Sequence, residues 1–514
     1  MTQLQFQPVG GPSPDDLEIV GVDSYVVRAP ADAPKHELAG RSIPVDGQSL
    51  AMSDLYMSTC IFFSSEADPS LKGRTLADVK AALDQGLERL VAQFPAASSN
   101  FGKGEDDIWH INYTDHGIPV QLATSPRALG RGYIGAGGRV DHNVCARNFY
   151  VADHAHPGLI IKVTRFACGS VAIGTSTHHW IVDFAGYYDM MALLAKAMSQ
   201  PHEDLPYRNH TRDIVKLVAN VPSEPFPADE WYIENGAGVW DKRDFKLAPS
   251  NVTNRMVYIS RDKLEQLKFD TVRSAHTLPV DERPSKFSWI STNDAIAALL
   301  WSSVTAARRI SDAEGDSRIV LTVDGRRYVP GADSYVGNVH TMHTTAVPLS
   351  VLNSQSVSGV LKVAHRLRDD LNQLSDGKMA AIIRLQGEDL RKRFMPNYKP
   401  FFGHDVLISN LTKYDWTGLT FGALGSPVYT TIVSTAPIQA GSLVIEGSDG
   451  TVFIQSAPQG FSPEGSGERN CEAASKGADW GAKPGVIALI GLRSCDVEAF
   501  ESLPLVKRYA VVLP

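Results

Sequence analysis

Apolar residues recur at spacings of three and four through TLADVKAALDQGLERLVAQFP, at Leu76, Val79, Leu83, Leu87, Leu90 and Phe94. That spacing is one face of a helix, with Thr75 and Asp78 as a capping box and Pro95 as the stop. The period then changes. LIIKVTR (159–165) and VAIGTST (171–177) are short β-rich runs joined by FACGS, a hairpin signal. FAGYYDMMALLAKAMSQP returns to a helical period and ends at Pro201. Residues 201–250 are rich in proline, glycine and charge with little periodicity, which predicts a crossover between domains.

A second half repeats the strand and helix grammar. NRMVYIS (254–260) predicts a strand, and DKLEQLKFDTVRSA a helix. STNDAIAALLWSSVTAARR (291–309) predicts a helix capped by Ser291 or Thr292. RIVLTVDGRR (318–327) and HTMHTTAVPLSV read as strands, SVSGVLKVAHRLRDDLNQL as an amphipathic helix, and 460–485 as a surface insertion. The pattern predicts a two-lobed α/β protein: an N-terminal domain over 1–205, a linker over 206–250 and a C-terminal domain over 251–514.

Bulk properties narrow the partners. The 514 residues exceed one ordinary core, and 43% apolar with 21% charged residues is an ordinary globular composition. A net charge of −8 argues against nucleic acid, whose phosphates demand a basic face. Five cysteines (Cys60, Cys145, Cys168, Cys471, Cys495) stand at wide spacings with no CxxC, so reduced thiols are expected rather than a disulfide framework or a zinc site. The N-terminus lacks a basic region followed by an apolar run, and no stretch reaches the roughly 18 apolar residues of a membrane span. The expectation is a soluble cytoplasmic protein without membrane or metal.

Candidate chemistry is sparse. GAGGR (135–139) lacks a full GxGxxG, DHAH (153–156) and HTMH (340–343) lack a third metal ligand, no GxSxG occurs, and LRKRF (390–394) reads as a solvated helix face. STHHWIVDFAG (176–186) is different: a histidine doublet at a strand end, an aspartate four residues after the second histidine, then a helix. A neutral imidazole suits proton removal from a hydroxyl near pH 7. Taken alone, the stretch fits two packed histidines at a strand end at least as well, and Asp183 could face the ring or turn away into an ion pair.

The chain as a whole resembles the BAHD family of CoA-dependent acyltransferases (HxxxD acyltransferases), in the fungal branch that includes trichothecene 3-O-acetyltransferases. HHxxxD at 178–183, ISTNDAIAALLW (290–301), VDGR (323–326), YVGN (335–338) and TFGALG (420–425) follow that family's segments in order. The resemblance implies a two-domain, chloramphenicol-acetyltransferase-like fold with a channel between the domains. It implies His179 as general base, Asp183 in a salt bridge with Arg326, and acyl-CoA, with acetyl as the family's usual group, as co-substrate rather than a bound cofactor. It also implies a small-molecule acceptor and a monomer. Asn338, Phe421 and Gly422 would support the channel and its CoA side, and Ser291 and Ser409 would be pocket donors. The chain departs from the pattern at Phe184, where the family has glycine, at TFGALG in place of DFGWG, and at Asn410 after Ser409. These departures keep two alternatives in view: a condensation-type domain using carrier-bound acyl groups, and a member turned to other chemistry.

Overall fold

The structure, a computed structural model, describes residues 6–8, 18–33, 36–52, 54–129, 142–145, 157–225, 231–234, 245–277, 289–433, 438–440, 442–458, 461 and 484–513. It is a two-domain mixed α/β fold. GAGGR, DHAH and nearly all of the 460–485 insertion lie outside the described residues.

The first sheet has six strands, in the order Tyr429–Ile432, Tyr56–Phe63, Val171–His178, Leu159–Phe166, Ile118–Ser125, Val20–Val27. Val171–His178 and its neighbour Tyr56–Phe63 show no inside–outside alternation because both of their faces are covered: every residue of the two strands is buried. One face carries the helices Leu76–Gln93 and Phe184–Ser199, whose close approach needs Gly86, since a Cβ there would come within 2.4 Å of Met198 Cγ. The capping box of Thr75 and Asp78 forms as the sequence predicts.

The second sheet has ten strands. Asp316–Asp324 lies between His340–Pro348 and Val406–Asn410, and the sheet continues through Thr451–Ser456, Val486–Arg493 and Val252–Ile259. Helices Arg261–Ser274, Thr292–Ala307 and Val357–Leu371 pack on one face around Trp301, whose indole N–H reaches Ser317 Oγ at 2.9 Å. The other face meets the first sheet directly: Cys60, Phe62 and Ala172 from one lobe share a buried cluster with Met256, Tyr258 and Leu489 from the other. The seam between the lobes is therefore a hydrophobic core in its own right.

The chain does not divide cleanly at 205 and 251. Tyr429–Ile432, from the C-terminal half, is the edge strand of the first sheet, paired antiparallel with Tyr56–Phe63. Phe6–Pro8, from the N-terminus, pairs with Ile438–Ala440 in the second sheet. Nor is 206–250 a free crossover, because Trp231–Glu234 pairs with Arg393–Pro396. The run LRKRF enters that same pairing instead of forming a helix face, and Arg393 donates to the Leu50 and Met52 carbonyls at 2.8 and 3.1 Å.

Gly174 sits mid-strand where a Cβ would fall 1.9 Å from the Val144 carbonyl oxygen. Gly174→Ala is expected to destabilise the fold by at least about 2 kcal/mol, read as a lower urea or thermal midpoint. An unchanged midpoint would show that the 142–145 turn moves aside without cost.

Candidate active site

The stretch after Val171–His178 turns sharply, and its main chain is held from several sides. His178 N–H donates to the Gly158 carbonyl at 2.7 Å and His179 N–H to the Leu55 carbonyl at 2.9 Å. Asn338 Nδ2 donates to the His179 carbonyl at 2.9 Å, and Arg212 to the Ile181 carbonyl at 2.7 Å. The turn separates the doublet. His178 is fully buried, with Nε2 3.2 Å from Asp54 Oδ1 and its ring packed on Phe101 and Trp180. His179 is half-buried and lines a cavity. Of the two readings the sequence left open, packed residue and cavity-facing imidazole, each describes one member of the pair.

Burial pushes the His179 pKa down, against a smaller upward pull from its own main-chain carbonyl and from Asp183. Its ring is accordingly neutral at pH 7. Asp183 does not serve that ring. It caps the helix Phe184–Ser199 by accepting from Gly186 N–H at 2.8 Å, and it accepts from Val339 N–H at 2.9 Å. Arg326 grips it with both terminal nitrogens, Nη1 to Oδ2 at 2.9 Å and Nη2 to Oδ1 at 3.0 Å. Burial raises the carboxyl's pKa, but Arg326 and the two backbone donors outweigh it and hold the group below the usual carboxylate range. Arg326 is itself fixed by Asp324 Oδ1 at 3.1 Å and by the Gly337 carbonyl at 2.9 Å.

Two spaces adjoin at Phe184, and His179 lines the smaller of them. A chamber of about 200 Å³ is lined by His179, Thr322, Ser409 and a mainly apolar wall. A larger cleft of about 880 Å³ is lined by Arg261, Lys268, Lys413 and the 411–417 segment. Phe184, Leu411 and Ile432 belong to both linings, so these residues form the neck between them. Phe184, which stands where the family pattern has glycine, fits at that neck on an aromatic bed, with ring centroids 5.1 Å from Tyr414 and 5.5 Å from Tyr187. The glycine that the backbone does require comes two residues later, at Gly186, where a Cβ would lie 2.8 Å from the Val336 carbonyl.

The remaining candidates separate. Ser409 lies in the chamber wall, accepting from Thr322 Oγ1 at 2.9 Å. Asn338 is buried beneath the turn, bonded to Ser49 Oγ as well as to the His179 carbonyl. Ser291 is the N-cap of Thr292–Ala307, bonded to Asp294 N–H and Arg368, and is absent from both linings. Phe421 and Gly422 are likewise packing residues, Phe421 edge-on to Phe63 at 5.4 Å and Gly422 donating to Ser199 Oγ. Gly422 is needed for its φ of +52° and for the Met198 carbonyl, which would lie 2.6 Å from a Cβ. His340 and His343 point to opposite faces of one strand, and among the described residues no group of three or more His, Cys, Asp or Glu could hold a metal ion. Asp46, Ser49 and Arg212, which brace the turn, carry no sequence signal. Asp46 accepts from Ser49 N–H and Oγ, and Arg212 sits at a left-handed φ of +57°.

Arg326→Ala would strand a buried carboxylate and is expected to cost about 3–5 kcal/mol, measured by denaturant unfolding. Arg326→Lys should recover only part of that, since one ammonium cannot span both carboxylate oxygens. Full recovery by lysine would show that charge alone suffices.

The sequence profile of the Transferase family matches residues 50–455 of this chain. Acyltransferase uat1 of Mycosarcoma maydis is 32% identical over 501 residues, spanning 92% of this chain and 96% of that protein. Among solved structures, F. graminearum TRI101 complexed with coenzyme A and deoxynivalenol superposes with a TM-score of 0.67 at 16% identity, over 92% of this chain and all of the other. Vinorine Synthase does so with a TM-score of 0.63 at 13% identity, over 96% and 98%. Among the described residues no helix is long and apolar enough to cross a membrane. The family profile and the full-length relative, on a fold shared with these structures, make this chain a member of the Transferase (BAHD) family of acyltransferases.

Proposed function

We propose that the protein transfers an acyl group, acetyl in the first instance, from acyl-CoA to a hydroxyl or amine of a small-molecule acceptor, with His179 as general base. The observation that carries this reading is a neutral imidazole in the wall of a chamber that opens, past Phe184, into a cleft bearing Arg261, Lys268 and Lys413. The cations on that lining, which lie beside Glu265 and Asp415 with Arg261 paired to Glu265 and Lys413 to Asp324, offer charge to an anionic donor such as CoA, and the matched TRI101 structure holds coenzyme A. The chamber suits the acceptor.

In the reaction, His179 takes the acceptor's proton as the acceptor heteroatom attacks the thioester carbonyl. The hydroxyls of Thr322 and Ser409 support the charge that develops on oxygen: Thr322 spends its proton on Ser409, which leaves the Ser409 proton for the chamber. Collapse expels CoA thiolate, which recovers the proton from His179. No nucleophilic side chain is required. Asp183 acts as architecture, since its oxygens are engaged by Arg326, Val339 and Gly186.

His179→Ala should lower kcat by about 10²–10⁴-fold with free acetyl-CoA, followed by thiol release, while leaving the unfolding midpoint nearly unchanged. Retained turnover would remove His179 as the base. A general base works deprotonated, and burial lowers this one's pKa. The rate should therefore be flat from neutral pH upward and fall only as pH drops through a folded pKa below the ordinary histidine value of about 6.5. An acidic limb centred above neutrality would contradict the assignment.

A further inference from the structure

We infer that the chamber beside His179 selects an uncharged, aliphatic acceptor and that the transfer is to its hydroxyl, an inference that rests on the acyl-transfer reading above. Its apolar wall is built largely by Met52, Met57, Met342, Met395, Leu407 and Phe453. No Asp, Glu, Lys or Arg among the described residues lines it, and the titratable groups that do are His179 and Tyr398. The charges nearby are already committed. Asp183 is closed on Arg326, and Asp54 stands beside His178, away from the chamber lining.

An alkylamine, with a pKa near that of lysine at about 10.4, reaches this chamber as an ammonium ion. There it must either remain charged without a counter-ion or shed its proton first, and both cost free energy. A carboxylate meets the same obstacle. A neutral alcohol meets none: its O–H donates to His179, and its oxygen can accept from Ser409. The methionines narrow the class further. Their unbranched, polarisable side chains repack around a flexible chain more readily than they frame a flat ring. A dry cavity of ~150 Å³ holds benzene, so a chamber of about 200 Å³ has room for an alcohol with on the order of eight non-hydrogen atoms.

The step balances as an ester synthesis. The alcohol oxygen bonds to the thioester carbonyl carbon, the C–S bond breaks, and the hydroxyl proton passes through His179 to the CoA sulfur. The products are one ester and free CoA.

Hexan-1-ol and hexylamine differ only in the reacting group, and their binding to the intact protein can be compared by equilibrium dialysis of labelled compounds. At pH 7.5 the alcohol is expected to bind at least tenfold more tightly, and the gap should close as pH rises toward the amine's pKa. Equal or tighter binding of the amine at pH 7.5 overturns the inference. Met342→Asp, which places a carboxylate in the wall, should reverse the preference, and Met395→Asp repeats that test from a second position. Retention of the alcohol preference in both folded variants would also overturn it. CoA release from acetyl-CoA with hexan-1-ol is scored separately. Alcohol-selective binding without release refutes the transfer reading and leaves the chamber's selectivity standing.

Discussion

A carboxylate taken out of water must be paired, and in this protein the partner of Asp183 comes from the other lobe. Arg326 approaches across 143 positions of sequence and engages both carboxylate oxygens. The same aspartate begins the helix Phe184–Ser199 and accepts from Val339 N–H, so one side chain fixes a helix start, a strand approach and an interdomain distance. His179 lies four residues before it, on the turn whose carbonyls are held by Asn338 and Arg212. The imidazole is placed by its main chain, and that main chain is placed by groups from both lobes.

The lobes have little freedom to change that geometry. Their sheets share a buried apolar cluster, and each sheet contains a strand contributed by the opposite end of the chain. An exchange of this kind ties the formation of the channel to the formation of both cores. It also accounts for a neck made by Phe184 from the first half of the chain and Leu411 and Ile432 from the second.

Much of the architecture was readable in advance because it is written locally. Helix periods, the capping box of Thr75, the cap at Ser291 or Thr292 and the hairpin through FACGS depend on neighbours within a few residues, and each appears where its spacing placed it, the second cap falling to Ser291. Tyr56–Phe63 gave no such signal, because a strand buried on both faces does not alternate. Local packing also sets what Ser291 and Gly422 do. Each sits in a segment typical of its family, but the side chain of one and the backbone of the other are used to close a helix end and to pass a neighbouring carbonyl.

The sequence by itself determined the two-lobed α/β plan, the family, and, through the family resemblance, the pairing of Asp183 with the distant Arg326, since ordered motifs survive without knowledge of their contacts. The tertiary structure decided how the doublet is divided, with His179 on the chamber and His178 packed against Phe101 and Trp180, because that depends on the hydrogen bonds of a turn to Leu55 and Asn338, remote in the chain. It also decided that Phe184 lines both spaces and that the chamber beside His179 is walled in part by four methionines, with no Asp, Glu, Lys or Arg on it among the described residues. A pocket's polarity is a sum over segments that sequence keeps apart, and only their packing brings the sum together.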